Sequence, residues 1–245
     1  MSTTAPPPTH DDIFATTRWT AVLDAGRSDN TRARAALAEL CQAYWYPLYA
    51  CIRRKGHSPE DAEDLTQGFF ARLLKLKSLA GVRRERGRFR AFLLASLNHF
   101  LADEWDRASA QKRDVRRTIA LDLADAERRY QHAMADRLTP ELVFERQWAL
   151  TLLEGVIQRL CAEYETAGNG ALFLALRFSI TGEKSSVPYA ELAAQLSMSE
   201  EAVRVAVHRL RQRYRQALRA EIAQTVADEA DVEAEMESLR RILSS

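Results

Sequence analysis

Glycine and proline are scarce in this chain, which holds 9 glycines and 7 prolines in 245 residues. Three of the prolines stand within the first eight positions, so the rest of the sequence has few residues suited to tight turns. A β-sandwich or barrel turns roughly every 8–12 residues and needs a larger supply of turn formers. The sequence therefore predicts an all-α protein, and a hydrophobic content of 47% is enough for a buried core.

Several classes of protein are excluded at this stage. No stretch approaches the roughly 18 consecutive apolar residues of a membrane-spanning helix, and the N-terminal residues lack the charged and apolar blocks of a signal peptide. Cys41, Cys51 and Cys161 are scattered, so they form neither a disulfide framework nor a CxxC motif. We expect a cytoplasmic protein with no cofactor, no metal and no membrane insertion.

Apolar spacing and helix breakers divide the chain into two helical domains joined by a linker. A long amphipathic helix is predicted from Thr31 to Lys55, with Pro47 expected to kink it or divide it in two. Ser58 and Pro59 predict the start of the next helix. Thr139 and Pro140 predict the start of a long amphipathic helix, and Gly168 its end. The expected order is a tail at 1–17, a helical domain at 18–112, a linker at 113–138, a helical domain at 139–226 and a helical extension at 227–245.

The second domain contains a helix–turn–helix pattern at residues 189–218. Ser199 suits the N-cap of the second helix. Ser197 stands where such a turn commonly has glycine, and a positive φ there would cost the serine roughly 1–2 kcal/mol of strain. The residues predicted to form the buried stripe of the second helix are Val203, Val207, Leu210, Tyr214 and Leu218. The residues predicted to project away from it are Arg204, Val205, His208, Arg209 and Arg211. That arrangement is typical of a helix that enters the major groove of duplex DNA.

An acidic strip is predicted at the start of the helix that follows Ser58. Asp61, Asp64 and Gln67 lie at i, i+3 and i+6, which predicts one exposed line beside the apolar stripe. No histidine stands at metal-ligand spacing nearby, so the strip favours protein docking over catalysis or metal binding.

Basic and aromatic residues alternate downstream of that strip. From Arg72 to Arg90 there are eight basic residues and one acid, Glu85. Aromatic rings follow, among which Phe92 and Phe100 are assigned to the core. Basic groups along a phosphate backbone, with rings on which bases stack, are typical of single-stranded nucleic-acid binding. Arg107, Lys112 and Arg113 extend this basic face.

Three motifs in this order resemble regions two and four of bacterial sigma-70 family RNA polymerase sigma factors of the extracytoplasmic-function type. The motifs are Tyr44-Trp45-Tyr46-Pro47-Leu48-Tyr49 with residues 61–67, Arg88-Phe89-Arg90-Ala91-Phe92-Leu93 leading to Asn98 and Asp103, and residues 189–218. The likeness covers roughly residues 18–226. It departs from the family at Gly68, where glutamate is usual, at Ser197, and at Ala206, where a basic residue is frequent.

The resemblance implies a non-enzymatic protein that binds core RNA polymerase and promoter DNA and directs transcription initiation. It places Asp61, Asp64 and Gln67 against the β′ clamp helices, and a further contact on the β flap. The residues it implies at the minus-ten element are Arg90, Asn98, His99, Trp105, Arg107, Lys112 and Arg113. Those it implies at the minus-thirty-five element are Ser199, Arg204, Val205, His208, Arg209 and Arg211.

Regulation by an anti-sigma factor or a Ser/Thr kinase is a further implication of the resemblance. Thr66, inside the docking helix, is the candidate phosphosite, because a phosphate adds about −2 of charge. The acidic extension, Asp228 to Leu243, has an apolar stripe at Val232, Met236, Leu239 and Leu243. We expect it either to pack on the second domain or to cover the basic recognition surface as an autoinhibitor.

Two other functions remain open from the sequence. One is a stand-alone helix–turn–helix regulator that binds duplex DNA without polymerase. The other is a nucleic-acid enzyme that uses the acidic strip, although the sequence shows no recognisable metal or nucleophile set.

Overall fold

The structure is a computed structural model that describes residues 31–75, 89–110, 123–133, 138–181, 187–226 and 228–244. These residues are mostly α-helical and contain no β-strand, which confirms the all-α class. None of the helices in this part of the chain is long and apolar enough to cross a membrane. The expected tail at 1–17 and the basic residues at 76–88 and 111–122 lie outside the described residues.

Ten α-helices are defined within the described segments. In chain order they are α1 (Thr31–Arg54), α2 (Pro59–Lys75), α3 (Phe89–Ala110), α4 (Leu123–Ala133), α5 (Pro140–Thr166), α6 (Gly170–Leu176), α7 (Phe178–Thr181), α8 (Tyr189–Gln195), α9 (Glu200–Ala223) and α10 (Val232–Ser244). A 3₁₀ turn at Glu229–Asp231 precedes α10. Of the two outcomes expected at Pro47, division does not occur, because α1 continues through this residue.

Local capping sets several of the helix ends. The Ser58 hydroxyl accepts a hydrogen bond from the Asp61 N–H at 3.1 Å and starts α2. The Thr139 hydroxyl accepts one from the Leu142 N–H at 3.3 Å and starts α5. Gly168, at φ +73°, ends α5 in the left-handed conformation that glycine adopts without strain. All three ends lie where the sequence predicts them.

The chain divides into two compact units, residues 1–151 with 223–245 and residues 152–222. This division differs from the expected boundaries at 113–138 and at 227. The predicted linker contains α4, whose Ala126 and Tyr130 are buried, and the predicted extension contains α10, whose Val232 and Leu239 are buried. Both segments therefore contribute to the core of the first unit.

Large aromatic side chains form much of the core of the first unit. Tyr44 and Phe89 meet edge to face with their ring centroids 5.5 Å apart, and both are fully buried. Phe144 and Trp148, on the first half of α5, are buried in the same unit. An ion pair of 2.5 Å between Arg72 and Asp103 joins α2 to α3. The core of this unit is thus assembled from distant parts of the sequence.

Candidate nucleic-acid interface

The turn between α8 and α9 is closed by backbone hydrogen bonds. The Ser197 N–H donates to the Ala194 carbonyl at 3.3 Å, and the Met198 N–H donates to the Ala193 carbonyl at 2.9 Å. Ser197 has φ +53°, the left-handed conformation for which such a turn commonly has glycine. The Ser199 hydroxyl then accepts the Ala202 N–H at 3.1 Å, which confirms Ser199 as an N-cap and fixes where α9 begins.

The two faces of α9 are divided as the sequence predicts. On the inner face, Val203, Val207, Leu210 and Leu218 are buried, and Tyr214 is half-buried. The residues exposed on the outer face are Arg204, Val205, His208, Arg209 and Arg211. This side of the helix therefore offers hydrogen-bond donors and positive charge to solvent.

The contacts of the outer arginines are of a kind that DNA can replace. Arg204 lies 3.3 Å from Glu200 and 3.5 Å from Glu201, and all three side chains are exposed. Arg211 donates from Nε to the Ser179 carbonyl at 3.1 Å. Exposed ion pairs of this type contribute only about 0–1 kcal/mol. Phosphate or base contacts can displace them at little cost.

Two ion pairs join α9 to α5 within the second unit. Arg213 donates to Glu163 on α5 at 2.8 and 3.1 Å, and Arg159 on α5 lies 2.6 Å from the buried Glu221. Glu163 and Arg213 also line a groove of about 910 Å³ together with Arg209. The C-terminal half of α9 is thus tied to α5 by ion pairs, whereas the N-terminal half presents an exposed outer face.

The acidic strip on α2 is shorter than predicted. Asp61 and Asp64 are exposed, but Gln67 is buried and donates to Glu63 at 3.1 Å. Six residues turn a helix by about 600°, so Gln67 lies roughly 120° around the axis from Asp61. Gln67 therefore lies toward the buried side of α2, and the strip consists of Asp61 and Asp64 alone.

Thr66, the predicted phosphosite, is buried in the structure. Its side chain has no exposed surface, and its hydroxyl donates to the Ala62 carbonyl one turn earlier at 2.6 Å. A kinase cannot reach this hydroxyl in the folded unit. The prediction of Thr66 as a phosphosite is therefore wrong.

Close packing against Phe100 explains why glycine stands at position 68, a reason that the sequence alone does not indicate. A Cβ at this position would stand 3.3 Å from Phe100 Cζ, closer than most carbon contacts. Phe100 is buried and packs edge to face on Phe69. Glycine thus permits the close approach of α2 and α3, and a larger residue would separate them.

The outer side of α3 carries part of the predicted minus-ten surface. Asn98 and His99 are exposed, and Trp105 exposes 75% of its surface. Asn98 and Trp105 are seven residues apart, about two turns, so they share one side of the helix. Phe100 belongs to the core as expected, whereas Phe92 is half-buried. Arg107 lies in α3 with its side chain outside the described part, and Lys112 and Arg113 lie outside it altogether.

Arg90 does not belong to this surface, which corrects the prediction. It is only 2% exposed and forms an ion pair with Glu235 of α10, which is 1% exposed. Arg90 also donates to the Ser238 hydroxyl at 3.0 Å and lies 3.7 Å from Glu145. Its guanidinium carbon lies 4.4 Å from the centre of the Trp148 ring. With these partners, Arg90 is out of reach of DNA.

The acidic extension belongs to the first unit. The buried residues of α10 are Val232, Glu235, Ser238, Leu239 and Ile242. Met236 is only half-buried and Leu243 is exposed, so the inner face is rotated from the predicted stripe toward Arg90. The segment is part of the first unit, which differs from the expectation that it packs on the second domain. The outer α9 residues that it was expected to cover are exposed.

Comparisons of the chain with protein-family models, with curated proteins and with solved structures give no match. The function must therefore be inferred from the residues themselves. The surfaces available for that purpose are the outer face of α9, the Asp61–Asp64 strip and the exposed side of α3.

Proposed function

We propose that this protein is a sigma factor of bacterial RNA polymerase. It would bind the core enzyme, recognise promoter DNA at the minus-ten and minus-thirty-five elements, and direct initiation. The observation that carries the proposal is the capped helix–turn–helix of the second unit, with Arg204, His208 and Arg209 exposed on the outer face of α9.

The minus-thirty-five role rests on the shape and charge of α9. A recognition helix enters the major groove with its N-terminal residues, and Arg204, Val205 and His208 lie within the first nine residues of α9. Arginine bonds to two acceptors of guanine at once, and Val205 can contact a thymine methyl group. Arg209 and Arg211 follow along the helix, where phosphate contacts are expected.

The polymerase-binding role rests on Asp61 and Asp64. Both carboxylates are exposed in the first turns of α2, next to the Ser58 cap. Within the part of the chain that the structure describes, neither carboxylate has a basic partner, and such a pair of like charges suits a basic surface on another protein. The β′ clamp helices, the β flap and an anti-sigma factor are the partners proposed from the family resemblance.

The minus-ten role rests on Asn98, His99 and Trp105. An exposed tryptophan beside hydrogen-bonding side chains can stack on an unpaired base and read its edge. Unstacking a base costs a few kcal/mol, which such contacts can offset.

The proposal is tested by transcription with core polymerase on a library of promoter fragments. Wild-type protein is expected to give specific initiation, Asp64→Arg to abolish it, and the exposed charge-reversal control Glu229→Arg to retain it. Arg204→Ala should weaken minus-thirty-five binding by about 1–3 kcal/mol, because Arg204 is expected to read a base edge.

Two results would contradict the proposal and favour its alternatives. Tight, specific duplex binding without polymerase, unaffected by Asp64→Arg, indicates a stand-alone regulator. Turnover of nucleic acid by the protein alone indicates an enzyme.

A further inference from the structure

We propose that α10 is a displaceable internal ligand of the first unit, in which Glu235 occupies the place of a nucleic-acid phosphate on Arg90. Release of α10 would free Arg90 to bind the DNA backbone. This inference rests on the proposed function, since it assumes that the first unit binds single-stranded promoter DNA.

The chemistry of the Arg90 site suits either anion. A guanidinium presents its N–H groups in a planar fork that matches carboxylate and phosphate oxygens alike. The Trp148 ring, 4.4 Å from the guanidinium carbon, holds that fork in place from one side. Glu235 and the Ser238 hydroxyl reach it from α10. If α10 leaves, Arg90 loses Glu235 and Ser238 and keeps its support on Trp148 and the longer contact with Glu145, 3.7 Å away.

The sequence around Arg90 indicates nucleic acid as the competing ligand. Arg90 ends the run of eight basic residues that begins at Arg72, and that run contains one acid. The segment from Asp228 to Leu243 carries six acids and two arginines. Among the side chains that the structure describes, Arg90 is the only buried arginine or lysine. The acidic helix α10 thus neutralises Arg90, the last of these eight basic residues.

The inner face of α10 contains polar residues where apolar ones would hold the helix more firmly on the first unit. Val232, Leu239 and Ile242 supply apolar contact, but Glu235 and Ser238 place polar groups in the middle of that face. A buried ion pair commonly stabilises a fold no more than apolar residues of the same size would. A helix whose only role was to cover the core would gain by having apolar residues at both positions.

The test uses the full chain and two readouts, hydrogen exchange of the α10 amides and binding of a short, fluorescently labelled single-stranded DNA. Glu235→Gln leaves the buried charge of Arg90 without its main partner. We expect α10 to exchange about 100-fold faster in this variant. We also expect the DNA to bind at least about 10-fold more tightly, because a larger fraction of molecules is binding-competent. The salt slope should become more negative by about 0.7, the value for one added phosphate contact.

Two further variants separate release from damage to the fold. Glu237→Gln removes an exposed carboxylate from the same helix, so it should leave both readouts unchanged. The double variant Arg90→Leu with Glu235→Leu keeps α10 docked through apolar contact. We expect this variant to show slow exchange and no gain in DNA binding.

Each contrary result overturns the inference in a distinct way. Unchanged exchange of α10 in Glu235→Gln shows that the ion pair does not hold the helix. Faster exchange with unchanged DNA affinity shows that Arg90 has a structural role only. If the Leu double variant binds DNA as tightly as Glu235→Gln, Arg90 is not the contact. Failure of the wild-type chain to direct initiation with polymerase refutes the proposed function. Hydrogen exchange of the α10 amides tests whether Glu235 holds the helix in place, whatever the outcome of the transcription experiment.

Discussion

Arg53 and Glu127, on α1 and α4, form a two-point ion pair. Arg53 Nε lies 3.0 Å from Glu127 Oε2, and Arg53 Nη2 lies 2.8 Å from Glu127 Oε1. The Tyr49 hydroxyl donates to the same carboxylate at 2.8 Å. The Arg53 guanidinium also lies 4.7 Å from the centre of the Tyr130 ring. This cluster fixes α4 on the first unit, although sequence reasoning placed α4 in a linker.

Replacing Glu127 is expected to destabilise the first unit. Glu127→Ala leaves Arg53 and Tyr49, both largely buried, without their common acceptor, so we expect a loss of about 1–3 kcal/mol in the free energy of unfolding. The matched control is Asp125→Ala on the same helix, whose ion pair with Arg128 is exposed, and its effect should stay below about 0.5 kcal/mol. Urea unfolding measures both, and equal losses would contradict this account of the cluster.

The buried tyrosines of α1 predict a loss of stability in alkali. Burial raises the pKa of Tyr46 to about 12, and burial together with the hydrogen bond to Glu127 raises the pKa of Tyr49 further above its usual value. Unfolded tyrosine ionises near pH ~10. The stability contributed by each phenol is therefore fully present below pH ~10 and is lost as the pH rises through the folded pKa.

The free energy of unfolding should fall by about 1.4 kcal/mol per pH unit for each of these tyrosines above pH ~10. Phenolate absorbance during a pH titration provides the check. In Tyr46→Phe one late-ionising phenol should disappear and the alkaline slope should become shallower. An unchanged titration would show that Tyr46 is not a late-ionising group.

Two glycines inside helices should differ in how replacement by alanine changes the stability of the protein. At Gly68 the new methyl group would press on Phe100 Cζ at 3.3 Å, so Gly68→Ala should gain nothing despite its better helix propensity. At Gly155 on α5 no atom lies within 4 Å of the new Cβ, so Gly155→Ala should stabilise the protein by roughly 0.5–1 kcal/mol. Thermal unfolding compares the two, and a similar gain at both positions would rule out tight packing at Gly68.

The left-handed conformation of Ser197 predicts a stabilising substitution. A residue with a Cβ costs roughly 1–2 kcal/mol at positive φ, so Ser197→Gly should raise the free energy of unfolding by up to about 1 kcal/mol. Gly168→Ala is the converse, because Gly168 has φ +73°, and it should destabilise by a similar amount. Chemical denaturation measures the free energy of unfolding of both variants. A loss of stability in Ser197→Gly would show that the serine hydroxyl stabilises the turn by more than the positive φ costs.

The sequence predicted the features that depend on near neighbours. Ser58, Thr139 and Ser199 cap helices within three residues of themselves, and the φ of Ser197 follows from its position in a tight turn. The exposure of Arg204 and His208 follows from helical spacing against a clear apolar stripe. These relations need no knowledge of the rest of the chain.

The sequence failed where distant segments meet or where two helical faces were nearly equivalent. Arg90 and Ser238 are 148 positions apart, and no local pattern indicates that they pair. The docking of Glu127 on Arg53 spans 74 positions in the same way. Gln67 was assigned by a spacing of three, which drifts around a helix of 3.6 residues per turn. Thr66 was chosen only for its position within the same helix, which does not indicate on which face it lies. Such assignments require the packing partner to be known.

The first unit also has a consequence for synthesis. Its core takes residues from both sides of the second unit, so Val232 and Leu239 leave the ribosome after residues 152–222 have been made. All residues of the second unit are therefore synthesised before α10, and the core of the first unit stays incomplete until α10 has been made. During that interval, Arg90 has no Glu235 to neutralise it. Folding of the first unit thus depends on a segment that is synthesised after the whole of the second unit.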